Sequence, residues 1–158
     1  MRLLCVFGLM VLMLFLAGCG VESYMCQVED CRGVLVGMID SASESVYFMA
    51  YSLTDDGVGD ALVRAGKRGV DVKGVMEKQQ RSAYSEFDKL KQNGVDVRWD
   101  DNSALMHHKV FVVDGKVVVT GSCNPTENGF KNNDENLVVI RNGGVVEDFM
   151  REFERVFG

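Results

Sequence analysis

Proline occurs once in the 158 residues, at Pro125, and no low-complexity tract or internal repeat interrupts the chain. With 47% apolar and 25% charged residues, the body is expected to be globular rather than disordered. Basic residues are in deficit: 17 Lys and Arg face 23 Asp and Glu, a net charge of −6. The basic excess that usually marks a nucleic-acid-binding surface is therefore missing, although a local basic cleft can sit in an acidic protein. Carboxylates are plentiful but form no cluster suited to a metal ion, and no ligand pair at zinc spacing complements the cysteines. Histidine is scarce too, with only His107 and His108, side by side. Any imidazole chemistry near neutral pH must happen there. The length allows one domain with a real core and is too short for two ordinary ones.

The one long apolar run, residues 3–17 behind Arg2, is short for a membrane span and the right length for the apolar region of a signal peptide. It ends in Leu16-Ala17-Gly18-Cys19, which resembles a bacterial lipobox, where the cysteine is lipidated and becomes the first residue. The expectation is a lipoprotein-type signal peptide at 1–18, a lipid on Cys19, a tether at 19–30 and a single domain at 31–158. Such a protein is exported and held to a membrane on the periplasmic or cell-surface side. An ordinary signal peptide, or a short anchor that happens to end in cysteine, is the alternative. Removing residues 1–18 takes away Arg2 and Cys5, so a net charge of −6 becomes −7 and four of five cysteines remain. Cys26 and Cys31, five apart, can close a small disulfide loop ahead of the first helix, since exported proteins sit in an oxidising compartment. Free thiols are the other reading. Cys123 is then the odd one out, read as a small buried filler.

Periodicity supplies the elements. Val34, Leu35, Met38 and Ile39 give residues 31–44 a helical face. Residues 45–53 (SVYFMAYSL) read as a buried strand. Thr54 or Asp55 can cap a helix to about Arg68, and residues 70–76 alternate as a strand. Ser82 can cap a third helix with Tyr84, Phe87 and Leu90 on one face, and residues 95–99 form another strand. Two apolar runs, 107–113 and 116–120, are joined by Asp114-Gly115, a strong hairpin signal. A strand at 135–141 and an amphipathic helix at 144–157 complete an α/β fold with a mixed β-sheet flanked by helices.

The chemistry concentrates in the hairpin. On a strand, residues two apart share a face, so His107 and Lys109 point one way and His108 the other. Ser122 and Asn124 share a face by the same rule. If the hairpin pairs its strands, an imidazole, an ammonium, a hydroxyl and an amide converge, which describes an anion site with a nucleophile in it.

His107-x-Lys109-x4-Asp114-Gly115, then Gly121-Ser122-x-Asn124, then Asn133-Asp134-Glu135-Asn136, resembles the phospholipase D superfamily signature, and most of all its short members with one motif per chain, such as the small bacterial secreted endonuclease. The likeness covers residues 31–158, including the "YSLTDD" turn and the "LMHHK" approach. It implies a phospholipase D/nuclease-like sandwich and a phosphodiesterase in which His107 attacks phosphorus and forms a phosphohistidine. Lys109, Ser122 and Asn124 would hold the phosphoryl oxygens, and Glu135 would accept from the imidazole and orient it. Asp114, inside the catalytic motif, looks structural, shaping the turn. No metal and no cofactor is implied.

The family's mechanism uses two histidines, one attacking and one protonating the leaving group. With one motif here and His108 facing away, the second should come from another copy, in a homodimer with one composite site. The substrate expectation is nucleic acid, with phospholipid headgroups as the alternative, because both are phosphodiesters. A non-catalytic phosphate-binding module is the reading from another class, disfavoured because His107 and Lys109 are both kept. Taken singly, each residue has a plain structural reading: a core-flanking His108, an ordinary Asp-Gly turn, loop caps at Ser122 and Asn124, a surface charge at Glu135. Tyr47, Phe48 and Tyr51 read as core. Pro125 stands where relatives often carry an aromatic residue. Lys78, Arg81 and Lys131 are the local cations that a nucleic acid could use, with a solvated face as the default.

Overall fold

Every residue of the strand Lys109–Val113 is buried, and its side chains divide the molecule into layers. Val110 and Val112 pack with Met49, Val75 and Val118 under Val146, Phe153 and Val156 of the last helix. Phe111 and Val113 point the other way, into a larger core with Val46, Phe48, Leu35, Ile39, Val58 and Leu62. A strand covered on both faces is apolar along its length, which is why Val110 to Val113, after Lys109 at the rim, do not alternate.

The computed structural model describes residues 20–158. In chain order the elements are β1 (Gly20–Met25), α1 (Cys31–Ser41), β2 (Ser45–Ala50), α2 (Asp56–Lys67), β3 (Asp71–Met76), α3 (Phe87–Gln92), β4 (Asp96–Trp99), β5 (Lys109–Val113), β6 (Val117–Gly121), β7 (Asn136–Arg141) and α4 (Gly143–Phe157). A 3₁₀ turn at Lys78–Gln80 and a π-helical turn at Asn128–Asn132 lie in the connections. The sheet order is β1-β7-β6-β5-β2-β3-β4. β2, β3 and β4 run parallel, while β5, β6, β7 and β1 add antiparallel pairs. This is the expected mixed α/β sandwich.

β5 and β6 are joined by Asp114, Gly115 and Lys116, with Val113 paired to Val117, and the chain reverses at Asp114-Gly115. Lys116 N–H donates to Val113 O at 3.0 Å, and Asp114 and Gly115 take φ of 53° and 58°. Two left-handed central residues make a type I′ turn, whose twist matches that of the paired strands.

Several boundaries differ from the expectations. Residues 20–25 are not a tether: they form β1 and pair with β7 from Gly20↔Arg141 to Met25↔Asn136. The cause is non-local, since β7 offers an open edge and Tyr24 packs against the larger core. Helix α1 ends at Ser41 rather than 44 because the next backbone N–H groups are taken up elsewhere, Ser43, Glu44 and Ser45 all donating to the Asp114 carboxylate. The third helix begins at Phe87, not Ser82, and Tyr84 is 84% exposed instead of facing the core. There the Glu86 N–H is drawn to Leu53 O at 3.1 Å, while Phe87 stacks on Trp99 at 4.1 Å. Cys26 and Cys31 are joined in a disulfide that closes the loop ahead of α1. Cys123 is buried, and burial, with Glu135 adding, pushes its thiol up to about 12. Residue Cys19 and the signal segment lie outside the described residues.

Candidate active site

β2 and β6 end, and β5 and β7 begin, at the same end of the sheet, because β5 and β7 run against β2 and β6. Groups that directly follow or precede these strands therefore meet at one rim. In open α/β sheets this carboxyl edge of the parallel strands, where the strand order reverses, is where ligands bind.

His107 lies just ahead of β5, with an exposed ring, and Lys109 opens the strand and is 8% exposed. Their side chains meet as the two-residue spacing predicts: Lys109 Nζ is 3.1 Å from His107 Nε2 and also donates to the His107 carbonyl at 2.9 Å. Since an ammonium only donates, Nε2 is the acceptor and the ring proton sits on Nδ1. Burial lowers the Lys109 pKa, with the Glu135 charge opposing. His108 points to the other side of the sheet, where its Nε2 is 2.9 Å from Glu152 of α4. Arg155 first, and His108 after it, outweigh burial and hold the Glu152 carboxyl at about 2.

A second group follows on the neighbouring strands. The Ser122 hydroxyl donates to Glu135, and Asn133 Nδ2 donates to the same carboxylate at 3.3 Å. Ser122 N–H donates to Asn136 Oδ1 at 2.9 Å, and Asn136 N–H donates back to Ser122 Oγ at 3.1 Å. Within one chain, then, Glu135 engages Ser122 and Asn133 rather than the imidazole it was expected to orient. Gly121, at φ 150°, makes this crossing of β6 and β7 possible, because a Cβ there would run into the Asn136 carbonyl. Ser122 and Asn124 do not share a strand face, since β6 stops at Gly121. Asn124 Oδ1 is buried without a hydrogen-bond partner among the described residues, a rare state.

Asp114 is not part of this rim. It sits at the far end of β5, roughly 20 Å along the strand from His107 at about 3.3 Å per residue. Its membership of the catalytic set is corrected accordingly: it is a staple between the hairpin and the start of β2. The three expected cations are also engaged. Lys78 donates to Asn102 O, the Arg81 guanidinium lies 5.0 Å over Trp99, and Lys131 is 3.3 Å from Glu127.

Tyr51 was missed. Its ring lies 4.4 Å from that of His107 and 4.8 Å below Lys109 Nζ, while its hydroxyl accepts from Gln80 Nε2 at 2.8 Å. Strand 45–53 was expected to continue through it. The available signal was its place where the apolar run meets Ser52, Thr54 and Asp55. Tyr51→Phe keeps the ring and is expected to lose only about threefold in kcat. Tyr51→Ala frees the imidazole and is expected to lose about 100-fold; equal rates for the two variants would remove the ring from the mechanism.

Residues 35–157 match the family model described as "Cardiolipin synthase, PLD-like domain". The chain is 32% identical over 124 residues to a phospholipase D of Rickettsia prowazekii, covering 78% of this chain and 60% of that protein. It is 34% identical over 117 residues to the mitochondrial cardiolipin hydrolase of Xenopus laevis, covering 73% and 56%. It therefore spans little more than half the length of these relatives. The crystal structure of the phospholipase D family member Nuc from Salmonella typhimurium superposes with a TM-score of 0.81 at 34% identity, over 87% of this chain and 93% of that one. A matching family model over most of the chain, a shared fold, and His107, Lys109, Ser122 and Glu135 gathered at one rim lead to one conclusion: the chain belongs to the phospholipase D superfamily, as a member with a single motif.

Proposed function

We propose that this chain is a metal-independent phosphodiesterase that works through a phosphohistidine at His107 and acts as a homodimer on nucleic acid outside the cytoplasm. The observation that carries the chemistry is His107 Nε2 held against the ammonium of Lys109 at 3.1 Å. In the proposed cycle Nε2 attacks phosphorus as Lys109 moves its donors to a phosphoryl oxygen. The P–N bond forms and the P–O bond to the leaving group breaks, with the partner's His107, entering the step as the imidazolium, giving the leaving oxygen its proton. Water then attacks phosphorus and gives a proton back to the partner's His107. The P–N bond breaks and His107 is restored. Ser122 and Asn124 supply further donors to the phosphoryl oxygens.

Substrate choice follows from where the membrane would lie. β1 begins at Gly20, directly after the proposed lipid-bearing Cys19, and pairs there with Arg141 at the end of the sheet opposite His107. A strand of six residues separates that end from the rim, about 17 Å at 3.3 Å per residue. An anchor without a free tether supports a site turned away from its own bilayer, toward soluble polymer. The second reading, headgroup cleavage in phospholipids, is favoured by the names of the rickettsial and Xenopus relatives and by the acidic charge.

Purified protein in chelator is expected to nick plasmid and to release no headgroup from phosphatidylcholine or cardiolipin vesicles. Headgroup release without nicking would replace the substrate. Activity only on adding a divalent ion would end the metal-free mechanism.

A further inference from the structure

Glu135 holds Ser122, and the question is what holds Glu135. The segment 131–134 that leads into it makes its other hydrogen bonds locally, such as Asn133 N–H to Asn128 O at 2.9 Å. The contact from outside comes from Gln27, more than a hundred residues earlier. Gln27 Nε2 donates to Asn133 O at 2.8 Å and reaches Lys131 O at 3.5 Å. One residue away, Cys26 N–H donates to Glu135 O at 2.9 Å, extending the β1–β7 ladder past Met25↔Asn136. Gln27, Ser122 and Glu135 line one cavity of about 270 Å³ beside the rim.

Gln27 is exposed and lies in the loop of residues 27–30 closed by Cys26–Cys31. Cys31 is the first residue of α1, 1% exposed in the larger core. Cys26, 5% exposed, packs in the same core, so the disulfide pins both ends of this surface loop there, and Gln27 transmits that fixity to the Glu135 segment.

We propose that Gln27, held by the Cys26–Cys31 disulfide, is a positioning residue for Glu135, so that the phosphate site is completed only once the disulfide has formed. This rests on the reading of Glu135 and Ser122 as phosphate-site residues. Reduction by a dithiol adds two electrons and two protons, splits the S–S bond into two thiols and frees the loop. The enzyme is then poorly active in a reducing compartment and gains its activity after export.

The test uses the full exported chain in detergent, with plasmid as probe. Gln27→Ala and Cys26→Ala/Cys31→Ala are each expected to lose about tenfold in kcat with KM moving less than about twofold. Amides of 131–135 should exchange faster with deuterium, with the melting temperature of Gln27→Ala unchanged. Gln27→Lys, which keeps a donor of similar reach, should recover most of the rate. Unchanged kcat and exchange in Gln27→Ala would overturn the proposal, whether or not the cysteine variant folds. An oxidised wild type that cleaves no phosphodiester overturns the functional reading instead, and deuterium exchange in Gln27→Ala then decides the positioning claim alone.

Discussion

His107→Ala is expected to lower phosphodiester cleavage by about 10⁴-fold or more while leaving the fold intact. The ring is exposed, touches Tyr51 and Lys109, and adds nothing to either core cluster, so its removal takes chemistry and little packing. A residue that forms the covalent intermediate cannot be replaced by its neighbours: His108 faces α4 and is bound to Glu152. The same variant tests the composite site. In a dimer with one site built from two His107 side chains, only dimers of two wild-type chains are active. An equal mixture with His107→Ala, unfolded and refolded together, should then show about one quarter of the wild-type rate rather than one half. A rate of one half would mean that each chain works alone. Undiminished cleavage by the variant would remove His107 from the mechanism.

Asp114→Ala is expected to do the reverse, lowering stability by about 2 kcal/mol and the melting temperature by several degrees, while activity per folded molecule is retained. The carboxylate accepts from the backbone N–H groups of Ser43, Glu44 and Ser45 and from the Ser43 hydroxyl, so one side chain stitches the β5–β6 turn to the entry of β2. Burial alone would raise its pKa, but the backbone donors of Ser45, Glu44 and Ser43 prevail and bring it down to about 2. A folded-state pKa below the unfolded one stabilises above the ordinary carboxylate range. That contribution fades as pH falls from about 4 to about 2. Wild type should therefore lose stability across that window and Asp114→Ala should show less of the loss, which acid titrations followed by circular dichroism would measure. A large fall in kcat for folded Asp114→Ala would return the residue to the active site.

Much of the fold was legible in the residues themselves. The apolar run of β5, the Asp114-Gly115 turn and the amphipathic α4 carry their signals within a few neighbours, because strand alternation, turn dihedrals and helix periodicity are local properties. The same holds for His107 and Lys109, whose shared direction follows from a spacing of two, and for His108 turning away. Segments whose structure depends on distant partners were not legible. β1 exists because β7 has an open edge, α1 stops because a carboxylate seventy residues on captures its next backbone groups, and Tyr84 is outside because Glu86 is drawn to Leu53. What the sequence alone determined was the chemistry available: one pair of histidines, one lysine two residues after the first, and a hydroxyl, amide and carboxylate at signature spacings. Tertiary structure decided how they are shared out, placing Tyr51 against the imidazole, Ser122 on Glu135, Gln27 behind Glu135 and Asp114 at the opposite end. Antiparallel pairing sets which ends of the strands meet, and that register is fixed by contacts far apart in the chain.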